Sequence, residues 1–545
     1  MLSVLSPQTT SQTRVMRAVG WAGLVCTLGV SILSFLNLRA LEFGPLAHQA
    51  ISVDETYFAA CAARGTATGE IPISGCHDNK APLIFLLYQL IQPTESPYDL
   101  FAIKTAAFTT VVMIAVLAGW IAFRLAGLAA AVVAPALIIQ AFTGDAKLLA
   151  FKTETVGAVF MLGALAILAE RESWRRPWIL LAAGISVGLA VVTKQTYGFA
   201  AIAVILWLAV VSTRAGGVVV WLARFAARAT VFCLGTLFPF VLFLITFYGQ
   251  GRHVDFLSSF FLYPAVYGVA SGYSAFRVLI WRSAAILENM SYSPSLFALF
   301  VAAAILNIRW AFRDVTAAHT RLLVLMTSLL LFVTLLGLPV YFAYHAIPAW
   351  VPMAILGSVV IGDYWPGLFG SAPKVAASLS IGLLAAALLP AAGSWLSNGG
   401  RGSITELRRA EAELRGSRGE FAYVLGTWPG FYFDNGMIPA SSVQFPWALP
   451  GTPATWIFSP PDTDSFRGRL LAQLQKRNLA NLYAEFRGTP PRYIAVLDKM
   501  ARGPRSSRVS DVPGFDDYLR DSCNYSHSIS DPRRGAVTIY RCGTP

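Results

Sequence analysis

Charge is what this chain has least of. Asp, Glu, Lys and Arg make up 13% of its 545 residues, against roughly 25% in typical soluble domains. So little charge cannot coat a water-soluble body of this length. A hydrophobic content of 56% and a mean hydropathy of +0.58 place most of the chain in lipid instead. Metal-ligand spacings are missing too: with no CxxC pair and no HExxH, a protein-only zinc site is not expected. No internal repeat of the transporter type is visible, which counts against an inverted-repeat architecture. No A-x-A cleavage site follows the first apolar run, which reaches from beyond Arg14 and Arg17 to about Leu38. That run is also long for a signal-peptide h-region, so it is expected to be a retained first span.

What is present is a succession of apolar segments. After the first run they fall at 101–122, 125–142, 150–169, 177–194, 196–213, 226–248, 292–309, 321–338, 341–362 and 375–397. Each crossing needs roughly 20 residues, so the pattern predicts a polytopic α-helical membrane protein of about eleven transmembrane helices. The net charge of +13 comes largely from Arg in short connections, not from a basic face for nucleic acid. With the N-terminus inside, Glu170–Pro177, Ser212–Arg228 and Arg309–Arg321 are cytoplasmic, and each carries three Arg. The opposite connections near Thr143 and Gln195 hold none. Positive-inside logic favours this orientation.

Two longer segments, 39–100 and 249–291, then lie outside. The first contains Pro82–Ile91, too short to cross and suited to the interface. The second contains Tyr263, Tyr267, Tyr273, Trp281 and Arg282. After about Asn398 the composition turns polar, with helical character at Ser403–Arg415 and Arg467–Leu479. Phe421–Leu425, Tyr493–Leu497 and Val537–Tyr540 are short β-rich runs. The expected organisation is a membrane domain over 1–397 and a small extracytoplasmic α/β domain over 398–545. Cys26 and Cys233 lie in apolar runs and read as core residues. Cys61, Cys76, Cys523 and Cys542 fall in the outer segments, where Cys61–Cys76 and Cys523–Cys542 bridges are compatible with the compartment.

Chemistry concentrates in Val53–Leu83. Asp54 and Glu55 stand at the outer surface after the first span, and Lys80 stands in a Lys-Ala-Pro-Leu turn. A carboxylate there can take a proton from an acceptor hydroxyl, and a lysine can hold a lipid phosphate; the same acids can also simply cap a surface helix. Lys152, Glu154 and Lys194 lie at outer ends of spans, where snorkelling or ion pairing is the alternative to function. Asp145 and Lys152, seven apart, would share a face of an early-starting helix, as a salt bridge or a phosphate site. Arg252 and His253 suit phosphate binding, although a lone loop histidine is commonly a surface residue, and His345 is equally open. No cofactor is required by these residues, but a Mg²⁺ bridged by carboxylates and a diphosphate is compatible with them.

The acidic pair after span one, followed by a Lys-(Ala/Pro)-Pro-Leu turn, resembles the GT-C class of membrane glycosyltransferases. The likeness is to the protein mannosyltransferase and aminoarabinose transferase-like group, glycosyltransferase family 39. Further motifs follow in order: Thr143-Gly144-Asp145, then Lys152-Thr153-Glu154, then Ala183–Ala190 leading into Thr193-Lys194. Gly249–Phe256, Tyr341–Pro352, Phe421–Gly436 and Pro490–Asp498 continue the likeness. The resemblance implies transfer of a sugar, with inversion, from a polyprenyl-phosphate-linked donor to an envelope glycan, lipid or protein. It implies a multi-pass protein of the bacterial inner membrane, its C-terminal domain periplasmic, in contact with membrane lipids and not nucleic acid. Asp54 matches the family's candidate base, with Glu55 beside it. Lys80 and Asp145 match positions lining the donor phosphate and cavity, and Tyr344, or alternatively Tyr341, matches a late aromatic motif. Lys194, Arg252, His253 and His345 are further candidates for the donor phosphate. Lys-Ala-Pro in place of the usual Lys-Pro-Pro leaves the lysine but alters the loop. A transporter or lipid-linked-sugar flippase, and an inactive scaffold, are the competing readings.

Overall fold

The computed structural model describes residues 53–70, 76, 80–92, 98–143, 150–170, 172–212, 217–264, 280, 283, 318–336, 343–371, 414, 417–426, 430–444, 449–450, 464–497, 511–531 and 535–543. The apolar segments expected up to Leu38, at 292–309 and at 375–397 lie outside these residues, as do Asp145, Tyr341 and most of Ser403–Arg415.

The helical body begins with α1 (Val53–Thr68) and α2 (Leu83–Ile91), both in the expected outer segment. The long α3 (Leu100–Thr143) is two helices joined at a kink. The break falls at Ala126 and Gly127, where Gly127 adopts φ +79°, a left-handed conformation that glycine tolerates without steric cost. Thus the two closely spaced apolar runs on either side of Arg124 are distinct helices, as their spacing suggested. α4 (Thr153–Leu168), α5 (Pro177–Val191), α6 (Gly198–Ser212) and α7 (Val218–Gly249) follow. α7 starts eight residues before the expected 226, because the Arg-containing stretch 218–225 continues the helix. After α8 (His253–Leu257) and a π-turn at Ser258–Leu262, the described residues continue with α9 (Ala318–Leu336) and α10 (Ile347–Ser371).

Among the described residues, three helices are long and apolar enough to cross a membrane: Leu100–Leu128, Gln195–Ser212 and Val218–Gly249. Shorter apolar helices run over Ala130–Ile139, Thr153–Leu168, Pro177–Val191 and Arg321–Thr334. α5 packs along α7 at very close range. A Cβ on Gly184 would collide with the Phe232 carbonyl, one on Gly188 with the Thr236 carbonyl, and one on Gly235 with the Leu181 carbonyl. Small residues are how membrane helices gain contact when lipid is as apolar as their side chains. This gives the Gly184–Gly188 spacing a packing reason.

α2 has one face buried, through Leu83, Ile84, Phe85 and Tyr88, and packs on α1. Phe58 and Phe85 meet edge to face at 5.5 Å, and Cys61 is bridged to Cys76. The interfacial segment is therefore part of a small core.

The C-terminal residues form a five-stranded mixed sheet in the order β2-β1-β3-β5-β4. Its strands are β1 (Phe421–Leu425), β2 (Ile438–Pro439), β3 (Tyr493–Leu497), β4 (Cys523–Asp531) and β5 (Gly535–Cys542). β1 pairs in parallel with β2 and β3, while β5 runs antiparallel between β3 and β4. β1 and β3 coincide with the expected runs, and β5 extends the expected 537–540 at both ends. α11 (Gly430–Asn435), α12 (Phe466–Gly488) and α13 (Phe515–Ser522) complete the domain. α12 runs nine residues beyond the expected Leu479, and Ser465 caps it by accepting from the Gly468 N–H at 3.0 Å. Cys523 and Cys542 are bridged where β4 and β5 meet; Cys233, half-buried in α7, is free.

Candidate active site

Asp54 and Glu55 open α1, and consecutive helix positions point about 100° apart. Their carboxylates therefore meet different surroundings. Glu55 is fully buried; its Oε1 accepts the Phe151 N–H at 3.0 Å, and its Oε2 lies 3.6 Å from the buried Lys104 Nζ. Asp54, with its side chain 30% exposed, reaches Lys152 Nζ at 3.2 Å. Adjacent acids on one helix thus grip adjacent residues, Phe151 and Lys152, of the turn before α4. Tyr88 holds the same turn by donating its hydroxyl to the Phe151 carbonyl at 2.8 Å. Thr155 donates to the Ala150 carbonyl at 3.0 Å and accepts from the Lys152 N–H at 3.1 Å.

This turn corrects one expectation. Lys152 is extended, with φ −121° and ψ 166°, and precedes the helix instead of sharing a helical face with Asp145. Bonds from Glu55, Tyr88 and Thr155 hold that extended form. It sends the ammonium toward Asp54 and over the ring of Tyr344, 3.8 Å from the centroid, a cation–π contact.

Two residues on, Glu154 pairs through Oε1 with Lys194 and lies 3.7 Å from His345 Nε2. Its Oε2 accepts from Thr153 Oγ1 at 2.8 Å. Tyr197 donates to the Glu154 carbonyl at 2.5 Å, and its ring fills the space that a side chain at Gly157 would need. Lys80 acts electrostatically on Asp54, Glu154, Lys194 and His345 together. It is placed by the Leu83 N–H, three residues on, which donates to the Val192 carbonyl at 3.0 Å, two residues before Lys194. Asp54, Lys80, Lys194, Tyr344 and His345, scattered over nearly 300 positions, thus converge. Lys152 and Glu154 stand at the centre of the group. Sequence reasoning weighed them as snorkelling or paired residues; the signal available was a Lys-Thr-Glu triplet interrupting apolar sequence at a span's mouth.

Among the described residues, Lys152 pairs with Asp54 and Lys194 with Glu154, and Lys80 adds a third cation to the group. Burial disfavours the Asp54 carboxylate, but Lys152 and Lys80 outweigh it and hold its carboxyl below the usual range. Among the described residues no three His, Cys, Asp or Glu side chains converge on one point. Asp54 and Glu154 are each held by a lysine.

Arg252 and His253 belong to a different group. Arg252 pairs with Asp255 at 2.7 Å and with Glu70 at 3.7 Å, and His253 packs on the Tyr248 ring at 5.1 Å.

No family model matches the chain, and no curated protein matches it by sequence. Solved structures do. ArnT from Cupriavidus metallidurans bound to undecaprenyl phosphate aligns with 96% of this chain and 98% of its own, at 13% identity and a TM-score of 0.57. The same protein in its apo state aligns over the same shares, at 14% identity and a TM-score of 0.55. The oligosaccharyltransferase of Archaeoglobus fulgidus in complex with Zn and sulfate aligns with 93% of this chain and 72% of its own, at 13% identity and a TM-score of 0.50. At these identities the likeness is one of architecture, and it extends over nearly the whole chain: this is a membrane protein with the GT-C fold of ArnT.

Proposed function

We propose that this chain is an inverting glycosyltransferase that moves a sugar from a polyprenyl-phosphate-linked donor to an extracytoplasmic acceptor. The observation that carries the reading is the lysine-rich cluster around Asp54 in a chain of this fold. A donor anchored in lipid cannot leave the bilayer, so its phosphate must be met where helices end. α4 has 16 residues, about 24 Å at 1.5 Å per residue, against a hydrocarbon core of about 30 Å. A helix that short brings Lys152 and Glu154 within reach of a lipid headgroup. Three lysines gathered there suit an anion, and the Tyr344 ring supplies a wall for Lys152.

In the proposed reaction the acceptor oxygen attacks the anomeric carbon from the face opposite the phosphate. The new C–O bond forms as the bond to the phosphate oxygen breaks, so configuration inverts and polyprenyl monophosphate departs. Asp54 accepts the acceptor's proton. Lys80, Lys152 and Lys194 receive the charge that develops on the leaving oxygen. Donor phosphate competes with Asp54 for the Lys152 ammonium, which makes Asp54 a stronger base in the complex than in the free protein. Glu154 and His345 keep Lys194 in place. Glu55 acts through the turn it grips, not on substrate. The orientation that puts this face and the C-terminal domain outside the cytoplasm rests on the Arg-rich connections.

The test is Asp54→Asn in purified, normally folded protein, assayed with polyprenyl-phosphate sugars and checked by the mass of envelope glycans in the native host. Loss of transfer with retained polyprenyl-phosphate binding supports the reading, and full activity sinks it. A flippase would move the lipid-linked sugar without cleaving it. The clustering of ionisable groups at helix ends argues against that alternative.

A further inference from the structure

α1 carries Asp54 at its start and Arg64 ten residues later, about 15 Å along the helix axis. Arg64 is an unusual residue to bury, with its side chain 3% exposed. Its Nη1 donates to the Pro439 carbonyl at 3.1 Å, and its Nη2 lies 3.3 Å from Glu485 on α12. Glu485 is fixed in turn, accepting from Ser441 Oγ at 2.7 Å and from the Ser442 N–H at 2.8 Å. From Arg64 the pairing runs on to Glu70 at 4.0 Å, and from Glu70 to Arg252, Asp255 and Arg477 of α12. Acid and base alternate throughout: Glu485, Arg64, Glu70, Arg252, Asp255, Arg477.

Among the described residues, three arginines alternate with three carboxylates, and the chain of charges joins α1, α8 and α12. Apolar contacts reinforce the joint. Ala60, one turn before Arg64, is buried in the outer-domain core beside Ala422 and Tyr432. Tyr98 donates to the Met437 carbonyl at 2.5 Å, and Tyr263 donates to Asn478 Oδ1 at 2.9 Å. The opposite face of α1 packs through Phe58 against Phe85 and Tyr88. α1 is thus clamped between the helical body and the outer domain.

We propose that Arg64 is a positioning residue: through its pair with Glu485 the outer domain fixes the α1 helix and so sets where the Asp54 carboxylate stands. The outer domain is then part of the catalytic scaffold. A helix is stiff along its axis, so a change of tilt at Arg64 is delivered to its first turn, and displacements of about 1 Å at a reacting group can cost about 100-fold in rate. This inference rests on the glycosyltransferase reading for its kinetic arm only.

The experiment uses the full chain in lipid nanodiscs with Arg64→Met, Glu485→Gln and the exchange Arg64→Glu/Glu485→Arg. Two readouts are taken: kcat and KM with a polyprenyl-phosphate sugar, and hydrogen exchange of the α1 amides. Arg64→Met is expected to lower kcat at least 10-fold with KM changed less than threefold, and to speed exchange in the first turns of α1. Glu485→Gln, milder and retaining shape, is expected to do both to a smaller degree, and the charge exchange to restore part of each. An unchanged kcat or unchanged α1 exchange in Glu485→Gln and in every folded Arg64 variant overturns the proposal. If the unaltered protein transfers no sugar, the functional reading fails by itself, and exchange in α1 still decides whether Arg64 orders that helix.

Discussion

The two ends of α1 face two charged assemblies that are built differently. Around Asp54, among the described residues, three lysines meet two carboxylates, one lysine lies over an aromatic ring, and a histidine stands at 3.7 Å from Glu154. Around Arg64, three arginines meet three carboxylates in strict alternation. Lysines gathered at the first end suit a site that receives an anion, whereas the alternating pairs at the second tie elements of the protein to one another. The choice of residue agrees. Lysine is a compact point charge that a phosphate can recruit, and arginine suits fixed, forked contacts such as the one Arg64 makes to Pro439 and Glu485.

Substitutions at the two ends should therefore fail differently. Asp54→Asn is expected to lower kcat about 10²–10⁴-fold, the range for loss of a general base, with polyprenyl-phosphate affinity held within a few-fold. Single-turnover transfer and lipid-phosphate binding separate those effects. Glu55→Gln leaves Lys104 buried beside a neutral partner, and should destabilise the protein by about 3–5 kcal/mol. Thermal unfolding in detergent checks this, and Glu55→Leu/Lys104→Met should recover most of the loss. Lys152→Met should weaken polyprenyl-phosphate binding by about 1.5–3 kcal/mol, the scale of a hydrogen bond to a charged group, as read by direct titration.

Acid should also distinguish the ends. The lysines beside Asp54 lower its carboxyl pKa, so the pair with Lys152 is present above the unfolded value of about 3.9. It is lost only as pH falls through the lower folded value. The acid limb that Asp54 gives kcat/KM is thus expected below about pH 4, and a limb near 6 would point to another base. Least affected should be Arg252→Ala, which breaks a partly exposed pair with Glu70 at 3.7 Å and an i,i+3 pair with Asp255 at 2.7 Å. About 1 kcal/mol or less of stability is at stake in such a pair, and added salt should reduce it further.

Much of this was legible beforehand. The paired apolar runs beside Arg124 and beside Lys194 needed only a count of hydrophobic residues, because span length is dictated by bilayer thickness. The bridges Cys61–Cys76 and Cys523–Cys542 join the cysteines that the outer segments suggested. Asp54 and Lys80 stood out as chemistry-bearing residues in apolar surroundings. Lys152 and Glu154 did not, since an ionisable residue at a span's end reads equally well as snorkelling. Arg252 was legible as a cation and its pair with Asp255 follows i,i+3 spacing, but Glu70 comes from a distant part of the chain that no spacing rule brings to it.

The sequence by itself determined that this chain lives in a membrane, that Asp54 and Lys80 are chemistry-bearing residues in apolar surroundings and that a sheet domain follows the helices. These follow from hydropathy, charge placement and period, which are local properties of the chain. Only the tertiary structure decided that Asp54 faces Lys152 while Glu55 faces Lys104, and that Arg64 reaches the sheet domain. The reason is geometric: a helix turns each successive side chain about 100°, so the neighbour a charged group finds depends on how helices pack.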